Sequence, residues 1–227
     1  MLCQDCNFAN ENKIQQQFKE SLFLKKTQRK RKRELKEKEK EKENENEKEN
    51  KRKTKSKFKK RITMKPTIVI YGSSTGTCQE IAETIASKLG ADIIDAASLN
   101  ADAIASHDNL ILGTSTWGAG EMQDDWYDGV KELKSADLSS KTVALFGCGD
   151  SESYPDTFCG GMKELYDAAK EAGATVLDGV SADGYTFDES EAVEGDKFVG
   201  LALDNVNEDD KTEERIDAWL ESIKPSL

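Results

Sequence analysis

The stretch 67-TIVIYGSSTGTCQEIA-82 joins an apolar run to a helical stripe through a string of Gly, Ser and Thr. A chain reversal alone needs one or two such residues. A phosphate needs more: small residues that let the backbone come close, amides aimed at it and hydroxyls around it. The string stands before a helix, so its amides face an anion at the positive end of the helix dipole. It contains no Lys or Arg. Amides and hydroxyls alone suit a permanently held monophosphate, whereas a transferable triphosphate is ordinarily met by the lysine of GxxxxGK(S/T). That motif is absent, and so is the GxGxxG of dinucleotide sites.

Outward from this stretch, short apolar runs alternate with helical stripes. The runs are 67-TIVIYG-72, 91-ADIID-95, 109-NLILGTS-115, 141-KTVALFG-147, 174-ATVLDG-179 and 198-FVGLALD-204. Between them Ile81, Ile85 and Leu89 recur every fourth residue. Met122, Trp126 and Val130 follow the same period, as do Phe158, Met162, Leu165 and Ala169, and then Ile216, Leu220 and Ile223. The segments 68-IVI-70 and 143-VALF-146 are apolar at every position, as in strands covered on both faces. Strand and helix in strict alternation predict βαβ units, and right-handed crossovers then give a three-layer, doubly wound α/β fold around a parallel sheet. Such folds take ligands beyond the carboxyl ends of the strands.

Three loops stand at those ends: Gly72 to Thr77, 114-TSTWGAGE-121 and 147-GCGDSESYPD-156. All are rich in Gly, Ser or Thr, and two carry one large aromatic each, Trp117 and Tyr154. The layout suits a flat ligand with a phosphate tail. The patterns (S/T)-x-T-G-x-T, T-x-T-W-x-x-G-E and G-x-G-D-x-x-x-Y, in order at these loops, resemble the flavodoxin family over about residues 65–224. The resemblance implies a five-stranded sheet in the order 2-1-3-4-5. It also implies that 179-GVSADGYTFDESEAVEG-195 is the long-chain insertion that splits the last strand.

It implies one non-covalent FMN as well. The phosphate would rest on Ser73, Ser74, Thr75, Gly76, Thr77 and Cys78. The isoalloxazine would lie between Trp117 and Tyr154, beside Thr114, Ser115, Thr116 and Gly118. Backbone at Gly147, Cys148, Gly149 and Asp150 would bond the pyrimidine edge, and Asp204 would lie near the ribityl chain. Cys78 departs from the family pattern, which ends in Thr or Asn. A thiol is a weak donor, so the loop is expected to lose one side-chain hydrogen bond, roughly 0.5–1.5 kcal/mol.

The function implied is a low-potential one-electron carrier, working between flavin semiquinone and hydroquinone, and not a turnover enzyme. Aromatic walls and surrounding carboxylates disfavour the reduced anion. Glu121, Asp124, Asp125, Asp150, Glu152 and Asp156 would steer it onto basic faces of partners such as a flavodoxin reductase or an oxidoreductase that feeds it electrons. The resemblance also implies that the Gly118–Ala119 peptide turns its carbonyl toward the flavin on reduction, which needs the positive φ that Gly tolerates. An alternative on the same fold is an FMN-dependent NAD(P)H:quinone oxidoreductase, against which a Tyr154 covering the ring would argue. A phosphoreceiver module would need acids after the first strand and an Asp after the third. Gly72-Ser73-Ser74 and Thr114-Ser115-Thr116 stand there instead.

Composition bounds the rest. Residues 1–63 carry 22 Lys+Arg and 11 Asp+Glu; the remaining 164 residues carry 11 and 33, so a basic tail precedes a strongly acidic body. The tail, with 29-RKRKRELKEKEKEKENENEKENKRKTKSKFKKR-61, has too few apolar residues to offset the entropy of ordering, and a solvated low-complexity segment is expected. Met64 directly precedes the first strand, so residues 1–63 read as an over-extended upstream frame and residues 64–227 as the FMN-binding domain. No run of 18 apolar residues is present for a membrane span. Cys3-x-x-Cys6 has no second pair to complete a zinc site, and with His107 as the only histidine neither a multi-histidine metal site nor a histidine-based triad is expected. Cys78, Cys148 and Cys159 fit a reducing compartment; Cys148 and Cys159 read as small packing residues, and Trp126 and Tyr127 as core or surface residues of a helix. A cytoplasmic monomer without nucleic-acid or membrane partners is expected.

Overall fold

Ile68 and Ile70 project to one side of their strand and Val69 to the other, and all three are buried. That is why the run is apolar at every position: each face meets a layer of helices. The structure, a computed structural model, describes residues 65–227. The expectations for the charged tail, for Cys3 and Cys6 and for Met64 as a start lie outside the described residues.

The chain runs β1 (Thr67–Gly72), α1 (Thr77–Leu89), β2 (Asp92–Asp95), α2 (Ala101–Ala105), β3 (Asn109–Trp117), β4 (Glu121–Met122), α3 (Trp126–Ser135), β5 (Thr142–Cys148), α4 (Met162–Glu171), β6 (Thr175–Val176), β7 (Val193–Glu194), β8 (Lys197–Phe198), β9 (Leu201–Leu203) and α5 (Asp209–Ile223). The main sheet is parallel, with β1 between β2 and β3, and β5 beside β3. On the outer edge of β5, β6 pairs with Thr142–Val143 and β9 with Phe146–Cys148. These are two halves of one strand, so the order is the expected 2-1-3-4-5 with its last member split.

Helices α1 and α5 cover the face that carries Val69, Ile111, Ala144 and Phe146. Helices α3 and α4 cover the other, with Ile68, Ile70, Leu110, Leu112, Val143 and Leu145. Each fully buried Ile or Leu contributes about 1.5–3 kcal/mol. Gly113 lacks a side chain because a Cβ there would fall 1.9 Å from the Phe146 ring of the neighbouring strand.

Two helical stripes begin later than their periodicity suggests. Met122 is not on a helix: it belongs to β4, paired with Thr116, and α3 starts at Trp126. Gly118 and Gly120, both at positive φ, let β3 reverse, and strand pairing takes Met122 into the core in place of a helical turn. Phe158 likewise follows a 3-10 turn at Pro155–Thr157, and Cys159 at φ +55° separates it from α4. Both side chains remain buried, so the stripe was read correctly as core and wrongly as continuous helix.

The insertion closes on itself. Val180 N–H donates to Gly200 O and Phe198 N–H to Val180 O, joining its two ends where the split strand would otherwise run on. A Cβ at Gly179 would lie 2.0 Å from Phe198 O, so glycine is required for that approach. Tyr185 and Phe187 of the insertion join Phe158 and Phe198 in an aromatic cluster. The Tyr185 hydroxyl donates to Ala202 O in β9, and the Arg215 guanidinium sits 4.1 Å above its ring.

Candidate functional site

All three loops singled out in the sequence meet at the carboxyl end of the sheet. The first begins where β1 ends. Ser73 Oγ accepts from Gly76 N–H at 3.2 Å, and Gly76, at φ +96°, caps α1 without any side-chain hydrogen bond to the helix. The opening amides of α1 therefore face outward with the positive end of its dipole.

The second loop is a hairpin. Thr116 pairs with Met122 and Trp117 with Glu121, and Gly120 N–H closes the turn onto Trp117 O. The indole N–H of Trp117 donates to Ser115 Oγ at 2.9 Å, fixing the ring plane, yet the residue is 44% exposed. Gly118 sits at φ +54°, and Ala119 N–H reaches the Glu121 carboxylate at 2.6 Å. The left-handed conformation expected to accompany flavin reduction is thus already present at Gly118.

The third loop is tied to the end of the last strand. Tyr154 is 60% exposed, and its N–H donates to Asp150 O. Asp204 is only 1% exposed and gathers this corner: Ser151 donates to it through N–H and Oγ, Val206 and Asn207 through their amides, and Asn207 through Nδ2. Asn207 also reaches Asp150 Oδ1 at 2.9 Å. Burial pushes the Asp204 carboxyl up, but the hydrogen bonds from Asn207 and Ser151 outweigh it and hold it below its ordinary range. Asp150 is lowered too, first by the Ser153 amide and then by Asn207.

The folded values lie below the unfolded ones, so these carboxylates stabilise the fold fully above the ordinary Asp value of about 3.9. That contribution is lost as pH falls through the lowered folded values. Asp204→Asn is expected to destabilise the protein by about 1–3 kcal/mol at pH 7, because the backbone amides of Ser151, Val206 and Asn207, the Asn207 side chain and the Ser151 hydroxyl lose a charged acceptor. The difference from the parent should shrink toward pH 3. Urea unfolding at both pH values checks it; an equal loss at both would contradict the assignment.

Between the Trp117 and Tyr154 loops lies an open cavity of about 230 Å³. Of the predicted residues, Thr75, Thr77, Ser115, Thr116, Trp117, Gly118, Cys148, Gly149, Asp150 and Tyr154 line it. Ser73, Ser74 and Gly76 form the loop next to it. Cys78, Thr114, Gly147 and Asp204 do not line it. Cys78 is fully buried in the core beside Cys148, facing away from the loop, so its side chain offers no hydrogen bond there. Burial pushes the Cys78 and Cys159 thiols well above the usual thiol range; packing is the expectation for Cys159, whereas Cys78 is expected at the phosphate loop. Thr114 Oγ1 accepts from Gln123 N–H, and Gly147 leaves room for Met162, whose side chain a Cβ would meet at 2.5 Å. Asp204 shapes the wall from behind.

The cavity also takes in Thr157, Phe158, Cys159, Asn205 and Val206, which motif reading missed. Asn205 and Val206 follow the last strand directly, so the rule that all carboxyl-end loops face the ligand would have found them. Asn205 Oδ1 is buried with no hydrogen-bond partner, an acceptor that an occupant carrying hydroxyls would satisfy.

Fold and cavity define a doubly wound α/β protein of the kind that takes its ligand at the carboxyl edge of the sheet. The flavodoxin family model matches residues 69–219. Flavodoxin 1 of Azotobacter vinelandii is 42% identical over 159 residues, covering 67% of this chain and 91% of that protein. A flavodoxin of Helicobacter pylori is 40% identical over 160 residues, covering 70% and 96%. Among solved structures, Fusobacterium nucleatum flavodoxin bound to flavin mononucleotide superposes with a TM-score of 0.69 at 33% identity, covering 72% of this chain and 99% of that one. The chain belongs to the flavodoxin family, whose members transfer electrons.

Proposed function

We propose that this protein is a low-potential one-electron carrier that holds one FMN non-covalently in the cavity between Trp117 and Tyr154. The observation that carries the reading is the pairing of two half-exposed aromatics across an open cavity with a hydroxyl-rich loop that has no Lys or Arg. The cavity wall fits the group: Asn205 Oδ1 lacks a donor, and the ribityl chain of FMN is rich in them. When bound, the flavin would accept and return electrons one at a time.

The chain's own residues set how readily. Ser73 to Thr77 would hold the phosphate through amides and hydroxyls. Trp117 and Tyr154 would exclude water from the two faces of the ring and oppose negative charge on it. Asp150, Glu121, Glu152 and Asp156 add like charge nearby, which lowers the potential of the step that makes the ring anionic. No helix among the described residues is long and apolar enough to cross a membrane. We place the protein in the cytoplasm as a monomer.

Trp117, Tyr154 and Val206 leave apolar surface at the cavity mouth, and Glu121, Asp124, Glu152 and Asp156 are exposed on the same or adjoining loop segments. A partner would therefore present a basic rim around an apolar centre, as a flavodoxin reductase or an electron-feeding oxidoreductase would. Family membership favours the carrier over an NAD(P)H:quinone oxidoreductase. The visible spectrum of purified protein, with anaerobic reductive titration, tests the reading: a chain that takes up no FMN overturns it. Trp117→Ala is expected to weaken FMN binding by roughly 0.5–1.5 kcal/mol beyond the lost area and to raise the potential of the second electron. Fluorescence titration of the apoprotein measures the affinity. Unchanged affinity and potential would remove Trp117 from the ring.

A further inference from the structure

Gln123 is a buried side chain that joins the first loop to the Trp117 hairpin. It directly follows β4, is 4% exposed and has every polar atom engaged. Its Oε1 accepts from Asp125 N–H at 3.0 Å. An amide N–H can only donate, so this contact fixes which end of the side-chain amide is oxygen. Nε2 must then face the other way, where it donates to Asp125 Oδ2 at 2.9 Å and to Ser74 Oγ at 3.2 Å. The backbone holds the residue in place, with Gln123 N–H on Thr114 Oγ1 at 3.0 Å. Space is held for it as well: a Cβ on Gly72, at the end of β1, would fall 2.5 Å from Gln123 Oε1.

The consequence lies in the polarity of a hydroxyl. A serine hydroxyl has one proton and two lone pairs. Because Gln123 donates into Ser74 Oγ from within, the Ser74 proton is left for a partner on the loop side. Ser73 is treated the same way, since its Oγ accepts from Gly76 N–H. Both serines thus take hydrogen bonds from the protein and present donors outward. In a loop with no Lys or Arg, these free protons match a phosphate dianion, a charged acceptor, better than a neutral hydroxyl, a weaker one.

We infer that Gln123 is a positioning residue for phosphate: by donating to Ser74 it orients the serine hydroxyl as a donor, and so sets the preference for a phosphorylated flavin over one without phosphate. The inference rests on the FMN reading above and deepens it. Gln123 itself does not touch the ligand.

The full-length apoprotein would be titrated with FMN and with riboflavin, following quenching of flavin fluorescence, for the parent, Gln123→Leu, Gln123→Glu, Ser74→Ala and the Ser74→Ala/Gln123→Leu double variant. Gln123→Leu should lower FMN affinity about tenfold, the worth of one hydrogen bond to a charged group, and leave riboflavin affinity within about twofold. Gln123→Glu, whose carboxylate would draw the Ser74 proton inward, should lose more. In the Ser74→Ala background Gln123→Leu should add no further loss of FMN affinity, because the two act through one hydroxyl. Equal losses for FMN and riboflavin, or losses that multiply in the double variant, would show that Gln123 only holds the hairpin, and overturn the inference. Ser74→Ala alone decides if the Gln123 variants fail to fold: parent-like FMN affinity sinks the inference, and a selective tenfold loss upholds it. A parent that binds neither flavin overturns the FMN reading itself. A parent that prefers FMN, with a Gln123→Leu variant that prefers it equally, overturns this inference alone.

Discussion

Trp126→Ala is expected to cost about 3–5 kcal/mol of unfolding free energy, enough to leave a domain of this size barely folded. The indole is wholly buried, and two glycines make room for it: a Cβ on Gly72 would lie 2.6 Å from the ring and one on Gly129 2.9 Å. Its N–H donates to Gly113 O at 2.8 Å, a carbonyl of β3 that truncation would leave without that donor. Neither glycine can fill the space, so the cavity cannot collapse inward. Trp126→Phe should lose less, about 1–3 kcal/mol, since it keeps most of the packing and drops the hydrogen bond. Urea unfolding of the three proteins gives both differences. If Ala and Phe cost the same, the hydrogen bond and not the packing is what matters; if both are near zero, the indole is not the wedge between β1, β3 and α3.

Gly118→Val should lower FMN affinity roughly five- to thirtyfold, the equivalent of about 1–2 kcal/mol for holding a branched residue in the left-handed region. Gly118 stands at φ +54°, next to Trp117, and an added Cβ would also press on the Glu121 carboxylate that receives Ala119 N–H. Gly118→Asn separates the two effects. Asn presses on Glu121 equally but adopts positive φ at lower cost, so it should recover most of the affinity. The first one-electron midpoint of the Val variant should also fall below that of the Asn variant by several tens of millivolts, at about 59 mV per 1.4 kcal/mol, if the loop must rearrange once the first electron arrives. Equal affinities for Val and Asn would put the cause in the Glu121 contact. Equal first midpoints would show that the loop conformation serves both redox states alike.

The acidic face bears on partners through the same loops. Glu121 both pairs with Trp117 in the hairpin and binds the Ala119 amide, so it is a structural member of the face and not only a charge on it. Substitutions at Glu152 or Asp156, which are exposed, probe steering more cleanly than substitutions at Glu121 or Asp150.

The order of the strands, the two-sided burial of 68-IVI-70 and 143-VALF-146, and the three carboxyl-end loops were all legible in the sequence. The burial and the loops follow from periodicity and from small residues, which are local properties of the chain, whereas the strand order was legible only through the family resemblance. The placement of Trp117 and Tyr154 on the cavity was legible for the same reason as the loops: each is a lone large residue in a polar loop. Helix starts at Trp126 and Met162 were not, because Met122 and Phe158 keep the helical spacing while strand pairing in one case and a 3-10 turn in the other carry them into the core. Which side a residue faces at a loop edge was also undetermined. Cys78 continues the phosphate pattern in sequence, yet the first turn of α1 rotates it inward against Cys148, and Asp204 lies behind the wall because Ser151, Val206 and Asn207 converge on it. The partners of Gln123 come from residues 74, 114 and 125, brought together only when β1 and β3 lie side by side. Periodicity and motif spacing are read along the chain; the direction in which a hydroxyl or amide is held depends on donors that arrive from other strands, and only the tertiary structure supplies those.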